Sequence, residues 1–197
     1  MTDWVTVMKA AETAARWHAH QKKKGAAQDP FIDHLLAVAS LVTEASNGHD
    51  PDLAIAALLH DAMEHREISR ARIADGFGER VAHLVEECTY DKALGEHERK
   101  RKQVEDAPEK SAGAKLIRLA DKIDNVRRMG SDPPPDWSAR RQLDYIAWAR
   151  EVVAELRGTN VWLEQQFDLA AEAAERSIAL ARQGSSETGP PPSRATS

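Results

Sequence analysis

Two side chains with ligand chemistry, His60 and Asp61, stand side by side at the end of the most apolar stretch of the chain, Leu53 to Leu59. An aspartate in such a place costs desolvation free energy unless something compensates its charge. A divalent cation is one compensation, because imidazole and carboxylate both ligate borderline ions such as manganese, iron or zinc. On a helix turning about 100° per residue, His60 at zero puts Glu64 at about 40°, Asp61 at about 100° and His65 at about 140°. The four polar groups then share one arc. Taken alone, the His-Asp pair has a simpler reading, a histidine favoured at a helix C-terminus beside a solvated aspartate.

The pair does not stand alone. His34 lies in FIDHLLAVA at the start of another amphipathic run, and Asp121 follows Leu119–Ala120 inside the core-facing stretch KLIRLADKIDNV. Three helices thus carry an imidazole or carboxylate where an apolar face should continue. Packing explains that poorly, whereas mutual satisfaction through one metal ion removes the desolvation cost from all of them.

The elements that must position these residues read as helices throughout. Apolar positions recur every three or four residues, and no strand alternation is evident. Trp4, Val7, Met8, Ala11, Ala15 and His18 share one face of a first helix, and the loop QKKKGAAQDP (21–30) ends it. Ile32 to Ala45 reads as a second helix. Asp50–Pro51 starts a third that runs from Asp52 to about Glu64, apolar nearly all round, and such a helix belongs at the centre of a bundle. Ser69 caps a short helix ending near Gly76, Gly78 introduces another, and EHERKRKQVED is a mostly solvated helical stretch. Ser111 caps the Asp121 helix, which Gly130 stops, and SDPPPD (131–136) is an extended linker. Two long helices follow, about 138–157 and 161–182. The expectation is an all-α, single-domain bundle of about eight to ten helices over residues 1–182, with a disordered tail over 183–197 that is rich in Gly, Ser, Pro and Thr.

Composition narrows the function classes. The chain has 197 residues, enough for one substantial core, and a net charge of −5, which gives no global basic field for nucleic acid or an anionic membrane. No apolar run approaches membrane-spanning length, and the N-terminus lacks a signal-peptide layout, so a cytoplasmic protein is expected. The single cysteine, Cys88, excludes an intrachain disulfide framework and reads as a small buried residue. Lys22, Lys23 and Lys24 suit phosphate binding but equally suit a solvated loop, and Arg99 to Lys102 read as a solvated helix face. Trp148, three residues after Tyr145, reads as core, with a place under the same pocket as Tyr145 as the alternative. A homo-oligomer is compatible with the sequence, since an apolar helix face serves a partner as well as the core.

The order His34, His60–Asp61, Asp121 resembles the H…HD…D pattern of the HD phosphohydrolase superfamily. More closely, KKKGAAQDPFIDHLLAVA, AALLHDAMEH, FGERVAHLVEECTYDK, LIRLADKIDNVRRM and ARRQLDYIAWAREVV resemble the hydrolase domain of RelA/SpoT proteins. In particular they resemble its stand-alone form, the small alarmone hydrolases related to the metazoan SpoT homologue, from about Ala14 to Glu164. The resemblance implies an all-α fold, one manganese ion (other divalent metals being compatible) and removal of the 3′-pyrophosphate of (p)ppGpp to leave GDP or GTP. Related activities in this class are hydrolysis of (p)ppApp and removal of the 2′-phosphate of NADPH.

By the same resemblance, His34, His60, Asp61 and Asp121 match the metal ligands, and Glu64 the first acid of an HDxxED motif, which orients the attacking water. Lys23 and Lys24 match an Arg-Lys pair beside the nucleotide. Asn125 matches a nucleotide-contacting asparagine, and Arg141 and Tyr145 match positions lining the same pocket. Two departures stand out. His65 replaces the second acid of HDxxED, and Lys23 replaces an arginine that would stack flat on a purine. Both bear on the substrate rather than on the metal. The sequence therefore favours an alarmone pyrophosphohydrolase acting on a small-molecule nucleotide, with Glu64 and His65 as its catalytic pair. Alternatives are another HD nucleotide phosphatase, acting on NADPH or a nucleoside monophosphate, a weakly active nucleotide sensor with His65 as the lesion, or a purely structural helical protein.

Overall fold

A computed structural model describes residues 3–187 apart from Glu67, with the side chains of residues 65, 66 and 184–187 left aside. Among the described residues there are ten α-helices and a single 3-10 turn, and the one extended feature is an isolated bridge between Lys22 and Pro30. No helix among them is long and apolar enough to cross a membrane.

Local chemistry sets most boundaries. Helix α1 (Trp4–Trp17) is capped by Asp3, and α2 (Ile32–Ala45) follows the lysine loop. Helix α3 (Pro51–Leu59) starts where Asp50 accepts from the Leu53 N–H at 3.1 Å, with Pro51 in the first turn. The Asp50 carboxylate also takes Arg80 Nη1 at 2.6 Å, tying α3 to α6 (Glu79–Cys88). Ser69, Ser111 and Ser138 cap α5 (Arg70–Phe77), α8 (Ala112–Ser131) and α9 (Ala139–Leu156) in the same way. The charged stretch forms α7 (Glu96–Glu105), which has no fully buried residue.

Two boundaries differ from the sequence expectation. The third helix does not run on to Glu64; it ends at Leu59, turns through His60 and Asp61, and resumes as α4 (Ala62–Arg66). His60 Nδ1 lies 2.8 Å from the Ala57 carbonyl, the acceptor that a continuing α-helix would give to the Asp61 N–H. At the other end, α10 (Val161–Glu187) continues beyond Arg182, so residues 183–187 are helical rather than part of a tail. No proline blocks propagation before Pro190. The rest of the expected tail, residues 188–197, lies outside the described residues.

Helix α8 is the structural axis. It packs against α2, α3, α6, α9 and α10, burying Ile117, Leu119, Ala120, Ile123 and Val126. Because neighbours surround it, Arg118, Asp121, Lys122 and Asp124 on its other sides are buried as well. The α8–α10 contact is close enough that a Cβ on Gly130 would fall 2.7 Å from the Ala174 Cα. The Ser177 hydroxyl donates to the Gly130 carbonyl across that contact at 2.6 Å.

Helix-interior Gly→Ala changes normally stabilise by about 0.5–1 kcal/mol. Gly130→Ala is expected to do the opposite, costing about 1–3 kcal/mol in urea denaturation by forcing α8 off α10. Cys88 supplies a second check. It is buried in α6, and burial pushes its thiol up to about 12. At about pH 8 the thiolate fraction is then about 10⁻⁴, so a maleimide should leave the native protein unmodified and label it only after denaturant is added.

Candidate metal centre and its cavity

Three segments converge on one point. Helix α2 brings His34, the α3–α4 joint brings His60 and Asp61, and α8 brings Asp121. His34 Nε2 lies 3.4 Å from Asp121 Oδ1 and 3.8 Å from Asp61 Oδ2. His60 Nε2 lies 3.5 Å from Asp61 Oδ2 and 3.9 Å from Asp121 Oδ1. Ligands at about 2.1 Å from a common centre stand about 3–4 Å from one another, so these four atoms have the spacing of a coordination shell. The break at His60 makes this possible, since it lets adjacent residues aim imidazole and carboxylate at the same place.

Two further observations fit a cation at this point. His60 Nε2 is buried and has no hydrogen-bond partner, although a buried imidazole nitrogen is costly to leave unsatisfied. Its Nδ1 faces the Ala57 carbonyl, a pure acceptor, so Nδ1 carries the hydrogen and Nε2 presents a lone pair to the cluster. At His34, burial would lower the pKa of the imidazole, but the carboxylates of Asp121 and Asp124 outweigh it and push it up to about 10. The cluster draws positive charge to its centre. His34, His60 and Asp121 form a buried group with ligand atoms all within 4.8 Å of one another, and Asp61 Oδ2 lies beside it, 3.5 Å from His60 Nε2.

Behind these groups stands a ring of charge. Asp121 is opposed by burial but held well below the usual carboxylate range by Lys122, His34 and Arg118. Lys122 Nζ lies 3.0 Å from Asp121 Oδ2 and also reaches Gln103, and Asn125 donates to Asp121 Oδ1 at 2.6 Å. Asp124, likewise opposed by burial, is kept below its ordinary value by His34 and Arg128.

The cluster forms the floor of a cavity of about 470 Å³. Asp61, Glu64, Asn125, Arg141 and Tyr145 all line it, with Glu64 entering from α4. The side chain of His65 lies outside the described residues. Lys23 and Lys24 line the cavity too, but in different circumstances. Lys23 is buried, its ammonium held 3.3 Å from Asp33 and 3.5 Å from Asp29, whereas Lys24 is exposed. The loop carrying them is pressed onto the segment after α8, for a Cβ on Gly25 would fall 2.6 Å from the Asp132 carbonyl oxygen.

Several cavity residues differ from the sequence reading. Arg99 and Lys100 face inward rather than belonging to a wholly solvated face. Trp148 is a cavity wall as well as a packing residue, with Lys122 Nζ 4.5 Å from its ring centre. Arg118, Lys122, Asp124 and Trp137 were not singled out. A signal was present: charges at 118, 121, 122 and 124 occupy several sides of a helix whose remaining positions are apolar, leaving little of it for solvent. Nine lysine and arginine side chains line the cavity against five carboxylates, in a chain whose net charge is −5. The arrangement suits a small polyanion whose aromatic portion lies against Trp137, Tyr145 and Trp148.

Comparison with known proteins agrees with this geometry. The family described as HD domain matches residues 10–149. The human protein named guanosine-3′,5′-bis(diphosphate) 3′-pyrophosphohydrolase MESH1 is 43% identical over 159 residues, covering 81% of this chain and 89% of its own. The Drosophila melanogaster protein of the same name is 39% identical, covering 82% and 90%. A solved structure of a metazoan ortholog of SpoT, described as hydrolyzing ppGpp, superposes with a TM-score of 0.82 at 37% identity, covering 86% of this chain and 96% of that one. A Listeria monocytogenes structure, lmo0812, gives 0.58 at 28% identity, covering 74% and 99%. The chain therefore belongs to the HD-domain family, among the stand-alone hydrolases related to the metazoan SpoT homologue.

Proposed function

We propose that this protein is a divalent-metal-dependent hydrolase that removes the 3′-pyrophosphate of guanosine-3′,5′-bis(diphosphate) or a close purine analogue. The observation that carries the reading is the convergence of His34, His60, Asp61 and Asp121 on one buried point beneath a cation-rich cavity. The relatives' names support the substrate class. Two imidazoles and two carboxylates form a mixed donor set compatible with manganese, which we take as the native ion.

When bound, the ion supplies Lewis acidity at the scissile phosphoryl group and lowers the pKa of a coordinated water. The residues do the rest. Glu64, on the cavity wall one turn past His60, orients the attacking water and accepts its proton. Asn125 holds Asp121 through the 2.6 Å hydrogen bond and fixes which carboxylate oxygen faces the centre. Lys122 and Arg118 stand on the far oxygen of Asp121 and offset negative charge that builds during phosphorus–oxygen cleavage. Tyr145 and Arg141 bound the nucleotide side of the cavity, and Lys24, unlike Lys23, is available to a second phosphate group. Lys23 instead staples the loop through Asp29 and Asp33. His65, which stands in the sequence where the resemblance has a second acid, bears on which nucleotide is preferred.

Purified protein with manganese should convert ppGpp to GDP and pyrophosphate. Failure to turn over any of ppGpp, pppGpp, ppApp or NADPH would overturn the reading, and release of orthophosphate rather than pyrophosphate would move it to a phosphatase. The division of roles has its own check. Glu64→Gln should bind manganese as the parent does yet lose about 10²–10⁴-fold in kcat, while His60→Ala should lose stoichiometric metal in elemental analysis.

A further inference from the structure

Asp124 carries no role in the function just proposed, yet it makes a short polar contact to one of the candidate ligands. Its Oδ2 lies 2.7 Å from His34 Nδ1, a separation spanning 90 residues of sequence, and both side chains are buried. The same oxygen receives Arg128 Nε at 2.9 Å. An ionised carboxylate has no hydrogen to give, so the hydrogen in the contact belongs to Nδ1. His34 is then left with Nε2 pointing at Asp61 and Asp121. Arg128 also lines the cavity, so one guanidinium joins the cavity wall to the carboxylate behind the metal cluster.

The two imidazoles are consequently not equivalent. His60 leans on a neutral backbone carbonyl, and His34 leans on an anion. A carboxylate behind a ligating histidine fixes its tautomer and ring orientation and makes the far nitrogen a stronger donor. We infer that Asp124 is a positioning residue of the metal centre, holding His34 Nε2 toward the ion, with Arg128 fixing the carboxylate from the cavity side. The inference rests on the four-ligand reading above and adds a fifth residue to it. Helix α8 thereby supplies both a ligand, Asp121, and the support for a ligand that α2 provides.

The test uses the full chain stripped of metal with a chelator. Calorimetric titration with Mn²⁺ alone is compared among the parent, Asp124→Asn and Asp124→Glu. Asp124→Asn keeps size and removes charge, and it should weaken Mn²⁺ binding about 10–100-fold. Asp124→Glu should recover part of that loss, and activity of Asp124→Asn should climb back as Mn²⁺ is raised. A purely packing role for Asp124 predicts no such rescue by charge or by metal. Unchanged Mn²⁺ affinity in Asp124→Asn overturns the inference. A parent protein that binds no Mn²⁺ instead sinks the metal-centre reading, which is a separate failure. Should both variants fail to fold, histidine-ring ¹H–¹⁵N spectra of the Zn²⁺-loaded parent decide the matter. They should show His34 with its hydrogen on Nδ1; a hydrogen on Nε2 overturns the proposal.

Discussion

Burying like charges together is the constraint around which this molecule is organised. Asp61 and Asp121 approach the same point inside a helical core, and each would be prohibitively costly there without a neighbour of opposite sign. The compensation is layered. Imidazoles from α2 and from the α3–α4 joint face the carboxylates, the donor set they form would suit a divalent ion, and Lys122 and Arg118 stand on the outer oxygen of Asp121. Buried charge of this kind is weak as a source of stability but strong as a specification, because few arrangements satisfy every member at once. That is why α8 is enclosed on so many sides: it carries the charges that the other helices must meet.

Helical geometry is adjusted locally to serve this demand. A continuous α3 would spread His60 and Asp61 about 100° apart around one axis. By giving the Ala57 carbonyl to a ring nitrogen, His60 ends its own helix and turns Asp61 toward the same centre. The apolar residues of α3 are then free to be buried on all sides, since the chemistry sits beyond its last turn. Close packing does comparable work at Gly130 and Gly25, where the absence of a side chain lets α8 meet α10 and lets the lysine loop rest against Asp132.

Much of this was legible in the residues. Asp50, Ser69 and Ser111 mark helix starts because a short polar side chain can satisfy an exposed N–H, and all three do so. The ligand-type side chains stood out because each interrupts an apolar face. What was not legible was direction. Periodicity distinguishes an apolar face from a polar one, but it does not say whether the polar face meets solvent or a cavity. Lys100 and Arg99 sit on a helix without a single fully buried residue and nevertheless line the cavity. Asp124 and Lys122 drew no notice in the sequence, and both are buried because α8 has little outer side left. Lys23 and Lys24 are neighbours of identical type, and only the fold separates the one locked between two aspartates from the one left exposed.

The cation excess of the cavity sits inside a molecule of opposite overall sign. A polyanion at a distance meets a net charge of −5 and is repelled, while one at the mouth meets lysines and arginines and is drawn in. The two regimes respond differently to the medium. At physiological ionic strength the screening length is about 8 Å, so the far repulsion largely vanishes while contacts inside the cavity persist. Capture is therefore short-ranged: encounter is governed by diffusion to the mouth rather than by long-distance steering. Added salt, which slows many enzymes that act on phosphates, first lifts a barrier here.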